Sequence, residues 1–150
     1  MQTTISQVGA AAFKGMLDGN GPRVVASYAA EEAIPVGYPV KTGTTKDTEV
    51  LKATAGASAI GFAVHDHARE QSSAGAVQYA QYDTVSVLKQ GRIWVETTDA
   101  VAADAVANLT VATGKVTDEA VAAGIEAFTR FAARFITGTT GAGLALIEIK

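Results

Sequence analysis

Residues 84–97, TVSVLKQGRIWVET, constrain the fold more than any other stretch of the chain. Thr84, Ser86 and Leu88 share one parity, and Val85 and Val87 the other. Beyond Lys89-Gln90-Gly91, Ile93 and Val95 alternate with Arg92, Trp94 and Glu96. Period-two alternation, β-branched and aromatic side chains and a glycine-bearing gap predict a β-hairpin. Gly91 can take positive φ at no steric cost, as the reversal into Arg92 would require. Val85, Val87, Ile93 and Val95 then form one apolar face. Trp94 emerges on the other face and needs cover from a second sheet or another chain. No helical segment matches this apolar density, so the hairpin is expected to be the core of a β-rich domain.

The rest of the chain reads as short strands between turns. Residues 23–29, 38–42, 48–54, 59–65 and 77–82 have strand character, and Ile34 before Pro35 is pushed to an extended conformation. The stretches 30–35, 43–47 and 68–75 read as polar turns or loops. Residues 99–107 (TDAVAAD with its preceding Thr98) and 117–123 (TDEAVAAG with its following Gly124) look alike. Each has a Thr or Asp before alanines, which could start a short helix. Residues 108–112 form a strand candidate, with Thr113-Gly114 as its turn. Residues 126–137 are ambiguous: Phe128, Phe131 and Phe135 have helical spacing, whereas Phe131, Ala133 and Phe135 fit a strand. A glycine loop at 138–143 and a clear strand at 144–149 favour strand for residues 133–137. The sum is about eight to ten strands with turns every ~8–12 residues, the pattern of a small β-barrel or jelly-roll-like β-sandwich.

Residues 1–22 differ from the domain expected over residues 23–150. Gly9, Gly15, Gly19, Gly21 and Pro22 break every regular period, yet Ile5, Val8, Phe13, Met16 and Leu17 are too apolar for a solvated tail. Phe13, Met16 and Leu17 could make one helical turn. Two readings stand: an extended segment packed on its own domain, or an N-terminal arm lying on a neighbouring chain.

Composition excludes several classes of function. A chain of 150 residues makes one domain, able to bury about 70% of the surface its unfolded form exposes. Hydrophobic residues are 48%, but alanine and valine dominate them, so the core is thin and association with other chains would help it. The twelve Lys and Arg are scattered singly and the net charge is −3, without the convergent cations that nucleic acid requires. The absence of cysteine excludes disulfides and thiolate chemistry. The start of the chain does not read as a signal peptide, and no stretch reaches the ~20 apolar residues of a membrane helix. Synthesis in the cytoplasm is expected, with no membrane partner.

Catalytic readings are weak. His65 and His67, two apart on a strand, could face one metal, but no third ligand is identifiable by spacing. A polar strand end is the better reading, and no cofactor is expected. Glu31 and Glu32 are adjacent and point apart on an extended chain, so they suit a solvated turn or an ion pair to a partner rather than paired carboxylate chemistry. Gly138 to Gly143 resembles a phosphate loop only superficially, since a strand follows and no lysine lies within it. A strand tryptophan such as Trp94 is usually core, with an interface anchor as the alternative.

Three stretches taken together resemble the bacteriophage structural cement, or capsid decoration, proteins. They are AFKGMLDGNGPRVVASYAAEEAIPVGYPV (12–40), VSVLKQGRIWVET (85–97) and ARFITGTTGAGLALIEI (133–149). The chain departs from the family pattern between residues 99 and 124, where Ala103-Asp104 lacks the glycine of an expected glycine-aspartate turn. The resemblance implies a small β-barrel or sandwich on the outside of an assembled capsid, bridging neighbouring major capsid subunits and stiffening the shell against packaged DNA. It implies a virion protein with no catalytic residues, whose partners are the major capsid protein and other copies of itself, as dimer or trimer. Phe13, Met16, Leu17, Glu31, Glu32 and Trp94 are the candidate interface residues. Another virion module, tail-associated or binding a carbohydrate or host surface, is the alternative.

Overall fold

A computed structural model describes residues 12–69 and 76–150. The expectations for Ile5, Val8 and most of the 68–75 loop lie outside the described residues. Twelve strands follow in order: β1 (Val24–Ala30), β2 (Ile34–Pro35), β3 (Pro39–Thr42), β4 (Glu49–Lys52), β5 (Ala59–Ala63), β6 (Gln78–Tyr79), β7 (Thr84–Glu96), β8 (Asn108–Thr110), β9 (Lys115–Thr117), β10 (Ile125–Ala127), β11 (Ala133–Phe135) and β12 (Leu144–Ile149). The only helical element among the described residues is the 3-10 turn Gly56–Ser58 before β5.

Strands β1, β4, β3, β5 and β7 pair in that order, and β7 pairs back to β1, closing a five-stranded barrel. All these pairings are antiparallel except β1 with β4. Closure satisfies the hydrogen bonds that an open sheet would leave on its edges. The barrel core holds Val40, Val50, Ala63, Val85 and Val87. The short pair β2–β6 adds Ile34 and Tyr79 to the same core. Tyr79 is 1% exposed, and its hydroxyl donates to the Val64 carbonyl at 2.6 Å. A buried phenol without an acceptor would be costly.

The expected hairpin is instead one 13-residue strand. Gly91 has φ +131°, but the chain bends there rather than reversing. Val25 pairs with Leu88 and Val24 with Gln90, so Lys89 is an extra residue on β7, a β-bulge. The extra residue changes which side chains share a face. Val85 and Val87 enter the barrel core, whereas Leu88, Ile93 and Val95 enter a second core with Phe62, Phe135 and Ile147. The four residues expected on one face are therefore split between two cores. Partner availability decides the outcome. As a through strand, β7 pairs at six positions with β1 and six with β12. A hairpin would pair only the two halves with each other and leave both neighbours without their ladders.

Strands β12 and β11 extend the sheet from the second half of β7, and the small sheet β10-β8-β9 lies beside them. The three phenylalanines with helical spacing meet without a helix. Phe128 and Phe131 stack at 4.9 Å, each ring meets Phe62 edge-on, and Phe135 is buried in the same core. Strand for residues 133–135 agrees with the reading favoured by the glycine loop.

The two expected helix starts do not form. Val101 bridges Thr139, Val106 bridges Arg134, and Thr117 ends β9. The cap-like side chains bind each other instead: Thr117 Oγ1 donates to Asp99 Oδ1 at 3.3 Å, and Ala102 N–H donates to Asp118 Oδ2 at 2.8 Å. Burying Val101 against the second core outweighs the weak helix preference of a few alanines. Where the cement pattern would have glycine before aspartate, Asp104 itself takes φ +67° and its N–H donates to the Phe135 carbonyl. Aspartate tolerates that conformation better than most residues.

Gly91→Ala should cost about 1–3 kcal/mol in denaturant unfolding, because a side chain at this φ is strained and its Cβ would lie 3.0 Å from Arg23 Cβ. Gly19→Ala, where a Cβ meets nothing within 4 Å, should stay within about 0.5 kcal/mol of the parent. Equal stability of the two variants would contradict a backbone at Gly91 that only glycine adopts without strain.

Candidate interaction surface

Before β1, the chain runs antiparallel along the second half of β7. Gly15 N–H donates to the Trp94 carbonyl at 2.8 Å, Trp94 N–H to the Met16 carbonyl at 2.9 Å, and Asp18 N–H to the Arg92 carbonyl at 3.1 Å. A second anchor comes from beyond β5, where His65 N–H donates to the Gly15 carbonyl at 2.8 Å. This crossing requires glycine. At Gly15, φ is +78°, and a Cβ would lie 2.8 Å from Gly37 N and 3.0 Å from His65 N. The isolated reverse turn there carries one bond, Met16 N–H to the Phe13 carbonyl, in place of a helical turn.

Phe13, Met16 and Leu17 line one surface depression of about 230 Å³, together with Val64, His65 and His67. Each of the three is half-buried. Leu17 also packs against the second core and bridges Ile93. Trp94, likewise half-buried, lies on β7 between Arg92 and Glu96, which share its face. Both flanking charges are tied to the N-terminal segment: Lys14 Nζ lies 3.1 Å from Glu96, and Arg92 lies 3.8 Å from Asp18 and 3.0 Å from Glu148. Such part-exposed pairs orient side chains more than they stabilise the fold, at roughly 0–1 kcal/mol each. Lys150 and then Arg92 hold the Glu148 carboxyl below its usual range through hydrogen bonds.

Glu31 and Glu32 lie apart from this depression, and both carboxylates are engaged within the chain. Glu31 accepts from the Thr44 hydroxyl and from Thr44 N–H at 2.9 Å. Glu32 accepts from Lys52 N–H at 2.9 Å and lies 3.8 Å from Lys52 Nζ. They hold the 43–48 turn and β4 to the end of β1. The Thr44 hydroxyl, and then its N–H, lower the Glu31 pKa from 4.5.

His65 and His67 do come together, with ring centroids 4.7 Å apart. Among the described residues no group of three or more His, Cys, Asp or Glu is placed to hold a metal ion. Sequence reasoning missed the Lys14–Glu96 pair, the Gly15–Gly37 crossing and the contact of Phe13 with both histidines. These join residues more than 20 positions apart, and the only trace in the chain is a glycine inside an apolar segment.

A closed barrel, an apolar depression beside the N-terminal segment and acidic side chains bound within the chain make up a small β-module. The family model for phage cement, "Structural cement protein (E217 gp24/Pam3 gp6)", matches residues 1–150, so the chain belongs to this family and has a capsid cement, or decoration, role. The finding agrees with the resemblance of the three stretches described above. A solved chain from "The capsid of Myoviridae Phage XM1" has the same fold, with TM-score 0.72 and 18% identity over 99% of this chain and 96% of that one. No curated protein matches the sequence significantly.

Because the Glu31 pKa is depressed, the contact with Thr44 is fully present above about pH 4.5 and weakens as pH falls through the lowered value. In a carboxyl-resolved NMR titration, Glu31 should titrate below 4.5 and shift up toward it in Thr44→Val. An unchanged midpoint in the variant would contradict the assignment.

Proposed function

We propose that this protein binds the outer surface of the assembled phage head and bridges neighbouring major capsid subunits. The whole-chain match to the structural cement family carries this reading. The fold adds a rigid barrel with an apolar depression where Phe13, Met16 and Leu17 meet. These three and Trp94 form the leading contact surface, and residues 1–22 act as an arm whose base is fixed on β7. Glu31 and Glu32 belong at most to the rim of the interface, since their carboxylates already have partners. Self-association as dimer or trimer places several such surfaces on one shell. The role is non-catalytic, without nucleic acid or membrane as partner, and the protein is made in the host cytoplasm before joining the virion.

Mass action supplies the mechanism. A clamp that meets two subunits only when they are correctly placed stabilises that arrangement by its binding free energy. Each contact can be modest, because engagement of the first subunit raises the effective concentration for the second.

Purified protein should co-sediment with expanded shells and show little affinity for isolated coat subunits. Absence of co-sedimentation would remove the proposal. Phe13→Ser with Met16→Ser should weaken shell binding about tenfold while the melting transition stays cooperative. Full binding by this variant would move the contact surface elsewhere.

A further inference from the structure

Three rings meet where the N-terminal segment crosses onto the barrel. The Phe13 centroid lies 4.4 Å from that of His65 and 5.4 Å from that of His67. His65 Nδ1 is buried with no hydrogen-bond partner, although the same residue's N–H anchors Gly15. A neutral imidazole tolerates an apolar ring beside it and one unpartnered nitrogen. An imidazolium carries a donor on both nitrogens and must hydrate or pair each one.

The surrounding charges leave little to pair with it. On the N-terminal segment, Lys14 faces Glu96 of β7, and that carboxylate is already bound to it. After β5, Asp66 accepts from Ala68 N–H at 2.9 Å and from Arg69 Nε at 3.2 Å. Arg69 also pairs with Asp83, ahead of β7, at 2.8 Å. His67 adds a second titratable ring on the same side. Cation–π attraction from Phe13 favours the charged form only weakly at a part-exposed site. Leaving a buried donor unsatisfied costs more than that attraction returns, and more still when the donor is charged, so burial decides the sign.

We infer that Phe13, His65 and His67 form an acid-sensitive clasp that holds the N-terminal segment on the barrel while His65 is neutral and releases it when His65 is protonated. Burial, and then the neighbouring His67, hold the His65 pKa below 6.5, with Asp66 opposing. Release returns His65 to water and to its ordinary value. Above about pH 6.5 neither state takes up a proton and the clasp is at full strength. As pH falls from 6.5 toward the depressed value, the released state binds the proton more readily and docking weakens. Segment docking, and any contact surface built on it, therefore depends on pH in the mildly acidic range.

Amide hydrogen exchange on the full chain tests the clasp. Between pH 7.5 and 5.5, protection of the Gly15 and Asp18 amides should fall about threefold or more beyond the intrinsic pH dependence. The Ala53 amide, bonded to Pro39 on the far strands, should not follow. The loss should begin below about pH 6.5 and level off as pH passes the midpoint of the His65 ring titration seen by NMR, and His65→Phe should abolish it. Constant protection of Gly15 and Asp18 would overturn the clasp. So would a loss that persists in His65→Phe, or one that is complete before pH falls to 6.5. If His65→Phe fails to fold, the wild-type curves decide alone: a loss that sets in well above pH 6.5, or a His65 ring midpoint at or above 6.5, overturns the clasp.

Discussion

The extra residue at the bulge in β7 is the constraint on which the architecture depends. Without it, alternation would carry one face of the strand through a single core. With it, Val85 and Val87 close the barrel while Ile93 and Val95 turn to a second apolar layer under β12 and β11. The thin, valine-rich composition makes this arrangement useful, because small side chains fill two narrow cores more easily than one wide one. Gly61 shows how closely β5 approaches β7. A Cβ there would collide with the Leu88 carbonyl oxygen, so β5 can meet β7 at this point only as glycine.

The same strand positions the candidate surface. Its second half gives backbone partners to residues 15–18, and its polar face ties Lys14 and Asp18 through Glu96 and Arg92. The N-terminal segment thus has a fixed base on the domain, and Phe13 and Met16 are presented rather than free. A cement protein gains from such preorganisation, since side chains ordered before binding lose less entropy when they meet a partner.

Much of the fold was legible because strands announce themselves by alternation: β1, β3, β4, β5, β8, β11 and β12 fall where the pattern places them. The hairpin reading failed for a definite reason. A tight turn and a bulge both show alternating residues around a glycine, and the difference lies in distant partners, β1 and β12, that no local window contains. The alanine-rich segments misled in the same way. Their Thr and Asp side chains suit helix caps, but here Thr117 and Asp99 satisfy each other across 18 positions. At the candidate surface, the apolar residues of the first segment drew notice through their presence among glycines. The histidines were noticed for metal chemistry, whereas the structure sets them against Phe13.

In the proposed role, the barrel and the base of the N-terminal segment fill the junction between coat subunits. A reconstruction of decorated heads at side-chain resolution tests it most directly. The account predicts density on the outer surface contacting two coat subunits, with Phe13, Met16 and Trp94 inside the contact. Density seated on one subunit alone, or with that surface turned to solvent, would contradict it.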